Sequence, residues 1–314
     1  MKISSTSYTS IAQDYKEAMQ WMESIGVVLG AGRTKHYQKV IEYWKDHYKI
    51  ASEEQAQKIF PEFVNSMCEI SSFIGIYKKL KDEPIAELKG IREKLNKGVN
   101  GPIELATETA KSTTARNFIF EATTAARFHN PKKGISSLLN TVSDTGIHFE
   151  KNKIWVECKR ITTIKKIEKN IRKASDQLER ILREKIGSSN KGLVAIDISK
   201  ILNKGDNIFV QENDALLISS VEKLMNDFIV QNAKKWENIY ASRDRKIIGT
   251  VVYFSFMSVS EDRNLLVSVA EWAINPRLNI RTSEENLLNS IVEIVFPTPI
   301  FRHSWSKSIT KKIK

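Results

Sequence analysis

Cysteine is scarce in this chain: Cys68 and Cys158 are the only two in 314 residues. Neither has a CxxC partner or a histidine at ligand spacing, which argues against a disulfide framework and against a structural zinc site. Long apolar runs are missing as well. None approaches the roughly 20 residues of a membrane helix, and the opening Met1-Lys2-Ile3-Ser4-Ser5 lacks the apolar segment of a signal peptide. The expectation is a soluble, cytoplasmic protein with no membrane partner. There is no internal repeat and no low-complexity stretch. Acidic residues are in deficit, 37 against 49 Lys and Arg, for a net charge of +12, and none follows Glu293. That excess suits a polyanionic partner. It is concentrated over residues 159–191, with 11 basic against 4 acidic residues.

With 41% hydrophobic residues, the chain can bury one large core or two modest ones. Over residues 8–97 apolar side chains recur at helical spacing, as in Tyr37, Val40, Ile41, Trp44 and Tyr48, and again from Phe60 through Phe63, Met67, Ile70 and Phe73 to Ile74. The turn-rich Gly98-Val99-Asn100-Gly101-Pro102 follows. An all-helical N-terminal domain over 1–100 is therefore expected, and a second domain over 101–314. In the latter the pattern predicts a helix over about 104–128, strands over 142–149 and 153–161, and a basic helix over 164–186. It continues with a strand at 192–198, a helical insertion near 213–239, strands over 247–259 and 265–274, and a helix over 283–296. This order implies an α/β fold, a mixed sheet flanked by helices.

One strand is unusual. Ile154-Trp155-Val156-Glu157-Cys158-Lys159-Arg160-Ile161 reads as buried, yet it carries an acid and a base two residues apart. Side chains alternate along a strand, so Trp155, Glu157 and Lys159 share one face and Ile154, Val156 and Cys158 the other. A hairpin turning at Lys151-Asn152 pairs residue i with residue 303 − i, which sets Asp144 opposite Lys159, Gly146 opposite Glu157 and His148 opposite Trp155. Asp144, Glu157 and Lys159 then project together, and Gly146 leaves room beside Glu157. A third acid, Glu121, lies on the apolar stripe of its helix with Phe118, Ala122, Ala125 and Phe128. An inward carboxylate needs a partner, and a divalent ion shared with Asp144 and Glu157 would supply one. Oxygen ligands suit Mg²⁺ or Mn²⁺. Such an ion activates water and offsets charge on a phosphodiester, and a neighbouring lysine assists that water.

These residues resemble the PD-(D/E)xK nuclease superfamily, whose fold is restriction-endonuclease-like. The resemblance covers about residues 104–260: a helix with an inward acid (Glu121), an Asp at a strand start (Asp144), the Glu157-x-Lys159 motif, and a following helix with a glutamine, Gln177. Ser143 replaces the proline that names the motif, and Ile181 stands where a tyrosine often follows the glutamine. The resemblance implies a restriction-endonuclease-like nuclease domain over 101–314 that cleaves phosphodiesters with Mg²⁺ or Mn²⁺. Asp144, Glu157 and the Cys158 backbone carbonyl would bind the metal, Glu121 would assist, Lys159 would serve the water and Gln177 would support the site. Nucleic acid is the implied partner, DNA ahead of RNA. Some members of the superfamily are antiviral defence effectors in prokaryotes. Cutting both strands of a duplex would call for a homodimer, and a protein partner or activator is a further option. The alternative is an inactive nucleic-acid-binding or scaffold protein with the same fold.

On the basic helix, Ile164, Ile167, Ile171, Ala174, Leu178, Ile181 and Leu182 form the buried stripe. Lys165, Lys166, Lys169, Arg172, Lys173 and Arg180 occupy the rest, a surface able to track phosphates or simply a solvated face. The tail from Phe301 to Lys314 is also basic. Asp144-Thr145-Gly146 spells an aspartic-protease tripeptide, but that chemistry needs a second carboxylate of the same kind and no second copy exists. Gly30-Ala31-Gly32 suggests a phosphate loop, but Lys35 stands at the third glycine position and a turn between helices is the better reading.

Overall fold

The computed structural model describes residues 3, 5–50, 52–103, 107–108, 114–203 and 208–296. The basic tail over 301–314 lies outside them. The chain is a mixed α/β protein whose described residues divide into two compact units. One takes in the described residues of 1–127, 199–217 and 255–270; the other takes in those of 128–198, 218–254 and 271–314. No helix among the described residues is long and apolar enough to cross a membrane.

The first unit is mainly helical, with α1 (Tyr8–Ser24), α2 (Arg33–His47), α3 (Glu53–Leu80), α4 (Lys89–Gly98) and α5 (Thr114–Arg127). Caps set two of the starts. Ser7 accepts the Ser10 N–H ahead of α1, and Ser52 and Gln55 exchange hydrogen bonds in a capping box ahead of α3. The stripes read from the sequence point inward. Tyr37, Ile41, Phe63, Met67, Ile70 and Phe73 are buried, and Trp44 stacks on Phe63 at 4.4 Å between ring centroids. Tyr48, expected in the stripe, lies beyond the end of α2 and is 43% exposed.

The second unit is built on a sheet. Strand β1 (Ile135–Ser137) pairs antiparallel with β2 (Thr145–Phe149), and β2 antiparallel with β3 (Asn152–Arg160). Helix α6 (Ile167–Glu184) leads from β3 to β4 (Asn190–Asp197), which lies parallel to β3. Next come α7 (Ser199–Leu202) and β5 (Phe209–Gln211), both in the helical unit, then α8 (Asp214–Tyr240) and β6 (Ile247–Ser260), of which residues 214–217 and 255–260 also count with the helical unit. β6 pairs parallel with β4 over Ile247–Tyr253. β7 (Leu265–Pro276) also pairs with β6, and α9 (Thr282–Val295) closes the described chain. Every residue of β4 is buried, as expected of a parallel strand flanked on both sides. The short β1, β5 and α7 have no counterpart in the sequence reading. The basic helix starts later than expected: Ile164–Lys166 form a 3₁₀ turn and Ile164 is 52% exposed, not part of the buried stripe.

The hairpin register differs from expectation. Phe149 pairs with Asn152, so the turn is Glu150-Lys151, with Glu150 at φ 53°, and not Lys151-Asn152. Gly146 consequently faces Trp155, and His148 faces Lys153 and is exposed. The slip moves each partner by two residues, and because strand faces repeat every two residues no side chain changes face. The space beside Gly146 is not vacant either. A Cβ there would lie 2.9 Å from Leu138 Cδ1 and 3.1 Å from the Ile154 carbonyl oxygen, so the glycine admits Leu138.

Candidate functional site

Three of the expected residues meet at the C-terminal half of β3. Alternation along the strand places Trp155, Glu157 and Lys159 on one face. In register with β4 they neighbour Gly192, Val194 and Ile196. Helix α6 covers this face: a Cβ on Gly192 would touch Leu178 and Leu182 at 3.3–3.4 Å. Glu157 is consequently only 2% exposed. Cys158 points to the opposite face and is buried, which removes its thiol from the chemistry.

Asp144 lies just before β2 and is fixed from two directions. Its Oδ2 accepts the Cys158 N–H at 2.8 Å. Upstream, the Ser143 N–H donates to Thr141 Oγ1 at 3.3 Å and the Ser143 hydroxyl donates to the Thr145 carbonyl oxygen. Thr141 and Ser143 thus shape the turn that presents Asp144. Their hydroxyls are the kind of local signal that marks turns in sequence, and the sequence reading gave them no role.

Lys159 is the hub. Its Nζ donates to Cys158 O at 2.9 Å, Glu157 Oε2 at 3.2 Å and Asp144 Oδ2 at 3.3 Å. Two carboxylates and one carbonyl oxygen therefore converge on a single partly buried point, and one ammonium cannot neutralise both acids. Burial pushes the Glu157 carboxyl up to about 8, with the Asp144 charge adding to the rise and Lys159 opposing it. Burial acts to lower Lys159, but Asp144 and Glu157 outweigh it and its net shift is upward. The consistent state near neutral pH is an ammonium on Lys159 and a proton held on Glu157.

The other expected residues are placed differently. Glu121 is buried on the inner face of α5, as its stripe requires, but its carboxylate is 2.5 Å from Lys94 Nζ of α4, within the helical unit. An ammonium supplies the partner that a shared metal was expected to provide. Gln177 is half-buried on α6. Its Oε1 is shielded without a hydrogen-bond donor, and it makes no hydrogen bond to Asp144, Glu157 or Lys159. Lys165, Lys166, Lys169, Arg172, Lys173 and Arg180 are all exposed. Asp197, to which the sequence reading assigned no role, pairs with Arg160 Nε at 2.8 Å on the face opposite Glu157.

The donor set bears on the expected metal. Among the described residues, no group of three or more His, Cys, Asp and Glu side chains could hold an ion. Asp144, Glu157 and the Cys158 carbonyl offer two carboxylates and one backbone oxygen, all within 3.3 Å of one nitrogen. Such a set is too small to cage Ca²⁺, but it fits Mg²⁺ or Mn²⁺, which commonly take one or two carboxylates and complete their shell with water or phosphate oxygens. No protein-family model, curated protein or solved structure matches the chain.

Proposed function

We propose that the chain is a metal-dependent nuclease of restriction-endonuclease-like fold, with Asp144, Glu157 and the Cys158 carbonyl as ligands for Mg²⁺ or Mn²⁺. The observation that carries this reading is the convergence of those three oxygens on the Lys159 ammonium. A bound divalent ion supplies Lewis-acid polarisation of the phosphodiester and a more acidic water. Lys159, a permanent donor beside both carboxylates, holds that water and stabilises charge developing on the phosphoryl oxygens. The Cys158 N–H holds Asp144 in place. The exposed Lys165, Lys169, Arg172 and Lys173 of the segment following β3 provide charge for the nucleic-acid backbone. DNA is placed ahead of RNA on the family resemblance alone.

The test is cleavage of single- and double-stranded DNA and RNA with Mg²⁺ or Mn²⁺, by wild-type protein and by Lys159→Ala. Cutting by the wild type that disappears in the variant, with binding retained, supports the reading. A second reading has one observation in its favour: Lys159 already occupies the point a metal would share, so the cluster is held together without an ion. If wild-type protein binds nucleic acid but cuts none of the four substrates, this inactive binding protein is the better description.

A further inference from the structure

We propose that an arginine-lined cavity in the sheet-based unit, away from the Lys159 cluster in sequence, is a binding site for a phosphate-bearing ligand of nucleotide size. The cavity has a volume of about 540 Å³, within the range of roughly 300–1,000 Å³ typical of small-molecule sites. Its charged lining comprises Arg243, Arg245, Arg277, Arg281, Glu237 and Glu284.

Matching each charge with its partner leaves an excess of positive groups. Arg243 is neutralised by Asp176 at 2.6 Å and Glu179 at 3.2 Å. Glu284 is bound by Lys191. Among the described residues Arg277 forms no salt bridge, and the carboxylate that acts on it most is Glu237. Its guanidinium donates to the carbonyl oxygens of Tyr240, Arg243, Asp244 and Ile247, which fixes its position without supplying a full counter-charge. Arg245 and Arg281 are exposed, and among the described residues their side chains make no hydrogen bond or ion pair. Burial lowers Arg277 most, Glu237 opposes that shift and the charge of Arg245 adds to it, so the Arg245 and Arg277 guanidinium groups repel. The one remaining acid, Glu237, accepts the Leu278 N–H at 2.9 Å and is pushed up to about 7 by burial, so near neutral pH it offsets only part of the excess.

Arg245, Arg277 and Arg281 around one concavity, with the Glu237 carboxyl offsetting only part of their charge, favour a compact, multiply charged anion. The arginine fork matches carboxylate and phosphate alike, and phosphate carries more charge to answer several guanidinium groups. Helix α9 starts at this cavity, with Arg281 as its N-cap and no side-chain cap, and its dipole adds in the same sense. The volume exceeds what a free phosphate needs and accommodates a nucleoside carrying one. Two sources share this chemistry, a free nucleotide and the phosphorylated end of a nucleic-acid strand. The proposal stands whether or not the Lys159 cluster is catalytic.

The experiment uses the full chain and two probes: ADP, and an oligonucleotide with a terminal phosphate compared with the same strand lacking it. Binding is measured by calorimetry and anisotropy for wild type, for Arg245→Ala with Arg281→Ala, and for a charge-matched control, Lys151→Ala with Lys185→Ala. Melting curves verify that both variants fold. The arginine pair is expected to weaken ADP binding about tenfold or more, with the lysine pair near wild type. If ADP does not bind but a preference for the phosphorylated strand is abolished by the arginine pair alone, the ligand is a strand end and the site stands. The proposal is overturned if the arginine pair leaves both probes unaffected, if both variants lose binding equally, or if neither probe binds the wild type.

Discussion

Two buried charge clusters in this protein make opposite use of the same residue types. In the helical unit, Glu69 faces two guanidinium groups: Arg116 Nε lies 2.6 Å from Oε1 and Arg33 Nη1 lies 3.4 Å from Oε2. The arginines also donate to backbone carbonyls, Arg33 to Gly98 and Arg116 to Ile103. Around β3, by contrast, two carboxylates share one ammonium. In the first cluster Arg116 also faces Glu108 at 4.0 Å, so two guanidinium groups meet two carboxylates, and Arg33, Glu69 and Arg116 join α2, α3 and α5. In the second, acids outnumber the base, and the surplus appears as a proton retained on Glu157. A structural network balances its charges. A cluster that must hold a proton on a buried carboxyl can exchange it for a cation from outside, which is the pattern of functional sites.

The comparison breaks most sharply at its two hubs. Lys159→Ala should lower cleavage by about 10²–10⁴-fold, the range for loss of an acid–base or charge-stabilising group, while the protein still melts cooperatively. If the variant cuts as fast as the wild type, the β3 cluster is not catalytic. Arg116→Ala should do the reverse. Removing one partner of a buried ion pair leaves Glu69 under-compensated and costs about 3–5 kcal/mol, read by denaturant unfolding. A loss under about 1 kcal/mol would mean that the helical cluster is not a structural joint.

A subtler difference lies in pH dependence. The folded-state Glu157 carboxyl is raised to about 8, so the native protein holds a proton that the unfolded chain releases. Its contribution to stability is complete at acidic pH and is lost as pH rises through about 8. Metal-free wild type should lose melting temperature across that window, and Glu157→Gln should flatten the decline. Parallel curves for the two proteins would show that Glu157 is already ionised. The smallest effect is expected from the outer charges. Lys169→Ala with Lys173→Ala should weaken nucleic-acid binding a few-fold and reduce the slope of log affinity against log salt by about one for each phosphate no longer neutralised. An unchanged salt slope would assign that face of α6 to solvent alone.

The parts of this site that could be read in sequence are those set by periodicity. Alternation along Ile154–Lys159 foretold which side chains share a face, and the helical stripe of α6 foretold its buried side from Ile167 onward. The register could not be read in the same way. The observed turn leaves both Glu150 and Lys151 in solvent and lets Asn152 pair with Phe149, a choice between two turns that local composition scarcely separates. Asp144 still reached the right face because either turn keeps the parity. The inward side of α5 was legible, but the partner of Glu121 was not. Lys94 is 27 residues away, and no local pattern reports which charge packs against a helix from another element.

The sequence by itself determined the longer elements, most of their buried faces and the grouping of Asp144, Glu157 and Lys159, because these follow from side-chain period and from the cost of leaving apolar surface wet. Only the tertiary structure decided that Glu121 would be matched by a lysine and that Leu138 would fill the space at Gly146. It also decided that arginines drawn from the ends of α8, β7 and α9 would surround one cavity. Those outcomes depend on which distant segments meet, and they are set by packing across the whole unit.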